Sequence, residues 1–199
     1  MREPGIGRVL VASLHQAISD ILPTRLGFYE NWLNAEGLRE GTIGLAPLYA
    51  VLSFLRQEGD PYAAITTRAG EYAAGWTVES MRPSTRSMIA RLPKFLRVRL
   101  VLRRANALVR MSYEGSRASW RIRQGTAHVS VRGSVFCSVR EPAAEPLCRY
   151  HAAAYQRMLS MFDMPTSVTV ESCRAAGADA CVLSVPFAAL APAEEAEAA

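Results

Sequence analysis

Just past Gly115 the apolar period of this 199-residue chain changes from 3.6 to two, and that change fixes the class of fold open to it. Before it, Ile6, Val9, Leu10, Leu14, Ile18 and Leu22 recur at helical spacing until Pro23 breaks the run. Thr24 is placed to cap a second helix through residue 34, with Phe28, Tyr29 and Trp32 as its apolar positions. Residues 36–44 read as a loop, and 46–57 as a third helix that stops at Gly59. Asp60 and Pro61 open a fourth helix running to Gly75, because proline suits the first helical position. Its small residues, among them Ala63, Ala69, Gly70 and Ala73, permit close helix packing or leave space for a ligand. Pro93 divides the next stretch into helices ending at Arg91 and running from 93 to about 111.

Beyond Gly115, Ala118, Trp120 and Ile122 alternate with polar residues, and Gln124-Gly125 marks a turn. Ala127, Val129 and Val131 alternate in the same way, and the strand is expected to continue through Phe136 and Cys137 past a bend at Gly133. Tyr150, Ala154, Met158 and Met161 then fall on one helical stripe, which Asp163 and Pro165 end. A strand at 168–171, a turn at 175–179 and a returning strand with Cys181, Leu183 and Val185 close the chain. The expectation is an α/β (α+β) domain over 1–187, its helical part at 1–112 and its strand–helix–strand part at 113–187. A mostly antiparallel four-stranded sheet packs on the helical half. Residues 188–199, acidic and alanine-rich, lack a core-forming pattern and read as a disordered tail.

Half the residues are hydrophobic and 21% charged, an ordinary balance for one core of this size. No apolar run reaches the roughly 20 residues that a membrane span needs. The beginning of the chain does not read as a signal peptide, and the irregular cysteine spacing argues against a disulfide scaffold. These features point to a bacterial cytoplasmic protein. The formal net charge of +5 hides a strong asymmetry: twelve basic residues lie between Arg82 and Arg123, with Glu114 the only acid among them. Such a segment serves as a solvated helix face, as a surface for an acidic partner protein or a ligand carboxylate, or as a nucleic-acid footprint. Nucleic acid ranks last, since no reading module accompanies the charge and aromatics are sparse among the arginines.

Three of the four cysteines sit in one stretch, Cys148 at the start of the last helix and Cys173 and Cys181 on either side of the final turn. A hairpin brings its flanking positions together, and a helix start packed beneath it delivers a third thiolate. Glu171, Cys137 or His151 would supply a fourth ligand. The plainer alternative is that small buried cysteines fill a core beside alanines.

The same stretch carries a resemblance. The run PLC-x-YHAAAYQRML, then VTVESC, then AxGADAC with alternating apolar residues resembles the 4-vinyl-reductase domain, or hydrocarbon-binding family. It is most similar to the bacteriochlorophyll 4-vinyl reductase type, and more distantly to phenol-sensing domains of bacterial activators. The resemblance covers about residues 145 to 187. It implies a fold like the small subunits of the vesicle-tethering complex, a buried apolar chamber, and zinc on the cysteines matching Cys148, Cys173 and Cys181. An acidic residue completes the shell in the phenol-sensing relatives; Glu171 is the acid nearest that position here, one residue beyond it.

The function expected on this basis is binding of a hydrophobic or amphipathic small molecule, such as a tetrapyrrole precursor, by a carrier, sensor or assembly factor. Tyr150, Ala154, Tyr155, Met158 and Met161 would line the chamber, and Arg97, Arg103 and Arg104 would receive a carboxylate. The alternatives are a vinyl reductase acting on a tetrapyrrole and a homodimeric interaction module of the tethering-subunit kind. No nicotinamide, flavin or nucleophile motif supports catalysis, so no catalytic residue is assigned.

Overall fold

The computed structural model describes residues 5–33, 44–139 and 141–187. Their helices are α1 (Arg8–Ile21), α2 (Leu26–Glu30), α3 (Leu45–Gln57), α4 (Asp60–Glu79), α5 (Pro83–Arg91), α6 (Lys94–Ser112) and α7 (Arg149–Ser160). Their strands are β1 (Arg117–Arg123), β2 (Thr126–Arg132), β3 (Thr169–Ser172) and β4 (Cys181–Pro186), which form one antiparallel sheet in the order β1-β2-β4-β3. The helical half followed by a four-stranded antiparallel sheet is the expected α+β class. The loop expected at 36–44 and the tail at 188–199 lie wholly or largely outside the described residues, whereas the second helix, expected through residue 34, already ends at Glu30 and residues 31–33 form a turn. Among the described residues, no helix is long and apolar enough to cross a membrane.

Most boundaries follow the sequence periodicity, and the exceptions have local causes. The segment after Pro23 starts as a single 3-10 turn, Pro23–Arg25, before α2 begins. Helix α4 runs on through Gly75 to Glu79, because Trp76 and Val78 continue its packed face and nothing there requires a glycine stop. The strand expected beyond Gly133 is absent. Gly133 takes φ 67°, a conformation that favours glycine, and its Cα lies so close to the Gly115 carbonyl that a Cβ would clash at 2.2 Å. The chain turns there and forms a 3-10 segment, Val135–Cys137, instead of extending the ladder.

The centre of the molecule is α7. Tyr150, His151, Ala154, Tyr155, Met158 and Leu159 are all buried, and only Gln156, Arg157 and Ser160 of the helix are exposed. Its longest partner is α4. Gly70 is the point of closest approach, since a Cβ there would meet the Tyr150 carbonyl oxygen at 2.2 Å and the Ala153 Cβ at 3.1 Å. The small residues of α4 therefore serve close packing. Helix α1 also lies against α4, while α6 runs along both α7 and β1. Asn106 of α6 donates its side-chain amide to the Ala118 carbonyl at 3.0 Å, fixing α6 to the edge strand.

The sheet's two faces differ as period-two sequence requires. Ala127, Val129, Val131, Cys181, Leu183 and Val185 point inward and are buried. The register places Arg117 opposite Arg132, Ser119 opposite Ser130 and Arg121 opposite His128 on the other face. Gln124 and Gly125, both at positive φ (47° and 72°), make the two-residue turn between β1 and β2.

Candidate metal centre

All four cysteines meet at one place. The Sγ atoms of Cys137, Cys148, Cys173 and Cys181 lie within 4.8 Å of one another, and every one of these residues is buried. Four separate local decisions bring them there. Cys137 ends the 3-10 turn that follows Gly133, and Cys148 is the residue before α7. Cys173 leaves β3 and Cys181 opens β4. The short 3-10 turn Arg174–Ala176 and Gly177 at φ 90° carry the chain back between those two. The loop is tied to its own first cysteine, since the amides of Ala176 and Ala178 both donate to the Cys173 carbonyl.

The geometry fits a tetrahedral cation. Zinc–thiolate bonds of about 2.3 Å imply sulfur–sulfur edges of about 3.8 Å. The Cys137–Cys173 and Cys137–Cys181 sulfurs are 3.5 Å apart, and the remaining separations stay within the 4.8 Å limit. None of the four is in a disulfide. The four buried, neighbouring thiols could hold a metal ion.

The protons of the cluster are unevenly held. Hydrogen bonding from Cys137 and then Cys148 pulls the Cys173 thiol far below the ordinary thiol value, and the same two neighbours lower Cys181. Hydrogen bonding with Cys137, followed by the other cysteines and burial, pushes Cys148 in the opposite direction. Backbone amides add to the stabilisation of the two lowered sulfurs: Leu147 at Cys173, and Arg174 donating to Cys181 Sγ at 3.4 Å. Four thiolates cannot coexist in a dry site without a cation, and a divalent ion removes that obstacle.

The surroundings are also suited to negative charge. Among the described residues, Tyr62 Oη and His151 Nδ1 are buried without hydrogen-bond partners, and so is Arg56 Nη1. Burial raises the Tyr62 phenol well above its usual value, Arg56 opposes this, and Cys137, Cys173 and Cys148 reinforce it. His151 is likewise within electrostatic reach of Cys173, while burial pushes its pKa down to about 4. Its Nε2 lies 2.9 Å from Ser134 Oγ, and its ring meets Phe136 edge-on. Orphaned buried polar groups beside a sulfur cluster are the outer groups that a metal tetrathiolate uses to balance its net charge.

Of the expected metal ligands, the structure brings together Cys148, Cys173 and Cys181. Cys137, and neither Glu171 nor His151, stands fourth. Glu171 is exposed on the outer sheet face, its carboxylate 3.2 Å from His128 Nδ1. The reason is a bulge: β3 pairs Val170 with Leu183 but Ser172 with Val182, so Glu171 is the extra residue. The bulge shifts the alternation, which lets Cys173 point inward with Val170 although three positions separate them.

The residues expected to line a ligand chamber are placed differently from that expectation. Tyr150, Ala154, Tyr155 and Met158 are enclosed by protein. The Tyr150 ring stacks on Phe136 with centroids 4.7 Å apart, and its hydroxyl is 3.3 Å from Ser112 Oγ. The Tyr155 hydroxyl donates to Asn106 Oδ1. Met161 is half-buried at the helix end. Arg97 donates from Nη1 to the Phe162 carbonyl at 3.2 Å, whereas Arg103 and Arg104 are exposed on α6. Against the other flank of α7 lies an open groove of about 370 Å³, walled by Ala152, Ala153 and Gln156 on one side and Val168 to Val170 on the other. Arg149 lies within it, and the sequence signal for it was the pair of alanines that the buried stripe leaves over.

A scan of the chain against models of known protein families finds no match, and a search of curated proteins finds none either.

Proposed function

We propose that this chain is a zinc-stapled domain that binds an amphipathic, carboxylate-bearing small molecule, as a carrier, sensor or assembly factor rather than as an enzyme. The convergence of four buried sulfurs from four chain segments carries the reading. Zinc is the cation that suits an all-thiolate tetrahedral set with no redox demand. Its structural consequence reaches the α7 groove. Cys148 immediately precedes one wall, α7, and Cys173 immediately follows the other, β3. A metal joining the two sulfurs fixes the separation of the walls. The groove's size is within the range that small ligands occupy, its alanine and valine surfaces suit an apolar body, and Arg149, which pairs with Glu145 at 2.8 Å, would exchange that partner for a ligand carboxylate. The resemblance to the 4-vinyl-reductase domain supports a tetrapyrrole precursor as the ligand class.

The test is metal analysis and native mass spectrometry of the purified chain, followed by titration with protoporphyrin as the probe. About one zinc per chain, with quenching of tryptophan fluorescence that weakens about tenfold in Arg149→Gln, is the expected result. A chain that purifies and folds without metal would sink the staple. Zinc-loaded protein that ignores the porphyrin would sink the ligand reading alone.

A further inference from the structure

The outer face of the sheet carries more positive charge than its own structure can use. Arg121 and Arg123 project from β1 and Arg132 from β2, and all three are exposed. Among the described residues none of them makes an ion pair or side-chain hydrogen bond. Glu171, the carboxylate that the described residues of β3 place on this face, is engaged with His128. Arg117 stands directly opposite Arg132 in the register, a like-charge cross-strand pair that costs stability. Arg117 turns its guanidinium away to the carbonyls of Glu114 and Ser116, which leaves Arg132 facing the sheet surface.

These arginines border a concavity of about 520 Å³, together with Ser119, Ser130 and His128. Ser119 and Ser130 are a cross-strand pair, so two hydroxyls sit side by side between the row of Arg132 and the row of Arg121. Val182 of β4 adds an apolar patch. Unpaired guanidiniums bind oxyanions through parallel hydrogen bonds, and hydroxyls supply further donors.

We infer that this concavity is a binding site for a small oligophosphate-bearing molecule. Three guanidiniums call for a ligand of comparable negative charge, which one carboxylate does not supply. A nucleic-acid strand fits less well: the only rings lining the concavity are Trp120, at one of the half-buried positions of β1 that alternate with the exposed arginines, and His128, which is engaged with Glu171. A second copy of the chain would present the same arginines to one another. The site is separate from the α7 groove and independent of the metal centre.

Isothermal titration of the full, metal-loaded chain with inorganic tripolyphosphate at low ionic strength tests it. The expected result is saturable binding at one site per chain, weakened at least about tenfold in Arg121→Gln/Arg132→Gln. Arg82→Gln/Arg91→Gln, with the same loss of charge at the ends of α5, should stay within about twofold of the parent chain. Both arginine pairs are exposed, and far-ultraviolet dichroism checks that each variant folds. An absence of saturable binding overturns the site, and so does equal weakening in both double variants, the mark of diffuse charge attraction. Affinity for single-stranded oligonucleotides that exceeds that for tripolyphosphate and rises with length replaces the small ligand with nucleic acid.

Discussion

The two faces of the sheet, only a strand's thickness apart, solve opposite problems. The inner face gathers sulfur and apolar side chains in a place without water, where every charge must be balanced by a neighbour. The outer face gathers guanidiniums in water, where like charges are tolerated because solvent screens them. Strict alternation along β2 and β4 keeps the two chemistries apart. Where alternation fails, at the Glu171 bulge, one acidic side chain is sent outward and one cysteine inward. The lesson is that burial, and not nearness in sequence, decides which of two adjacent candidate ligands reaches a metal.

The largest effect expected from breaking this contrast is loss of the sulfur cluster. Cys148→Ser or Cys137→Ser should abolish stoichiometric metal and lower the melting temperature by more than about 10 °C, since structural metal binding contributes directly to folding. Glu171→Gln, made on the outer face, should leave metal content unchanged; a loss of zinc there would return the acid to the ligand set.

Acid should expose the next difference. His151 is held neutral by burial, with a folded pKa of about 4 against an unfolded value of 6.5. The unfolded chain therefore takes up its proton first. The stability contributed by neutral His151 is complete above about pH 6.5 and is lost as pH falls towards 4, about 3 kcal/mol in all. Denaturant unfolding at pH 7.5 and 4.5 should show most of that loss, about 2.5 kcal/mol, in the parent chain and not in His151→Gln. Equal sensitivity would mean that the imidazole is not the group responsible.

Packing gives a smaller effect with a built-in control. Gly70→Val forces a branched side chain against the Tyr150 carbonyl and should cost about 2 kcal/mol by thermal or denaturant melting. Gly75→Ala, on the same helix with nothing within 4 Å of the added Cβ, should stabilise by up to about 1 kcal/mol. Smallest of all, Arg132→Gln on the outer face should change stability by less than about 0.5 kcal/mol, and in the favourable direction, by relieving the opposed pair with Arg117. A large loss would show that the arginine is structural.

Much of this was written in the periodicity. The apolar stripes of α1, α3, α6 and α7 and the alternation of β1, β2 and β4 follow from residue spacing alone, because each element buries one face or is wholly enclosed. Three of the four cysteines were also legible, since a turn between Cys173 and Cys181 has to bring its ends together. Cys137 was harder to assign. Its neighbours Val135 and Phe136 suit a strand, and only the close approach of Gly133 to Gly115 stops the ladder and turns Cys137 inward. Glu171 misled for the complementary reason, as a bulge is a property of pairing between two strands and leaves no mark in either one. The tyrosines and Met158 of α7 were recognisable as one face. Whether such a face meets ligand or protein depends on how closely α4 approaches, and that is set by Gly70, some 80 positions away in the chain.

That distant contact has a bearing on how the protein is made. Helices α1, α3 and α4 emerge from the ribosome well before α7, the element against which α4 packs most closely. Two of the clustered cysteines, Cys137 and Cys148, precede α7, and the cluster is complete only when Cys181 has been made. The N-terminal helices must therefore wait, with the Gly70 face of α4 uncovered, until the final quarter of the chain arrives to cover it. A domain ordered in this way folds late and as a unit, and its nascent half is the portion most in need of protection from premature association.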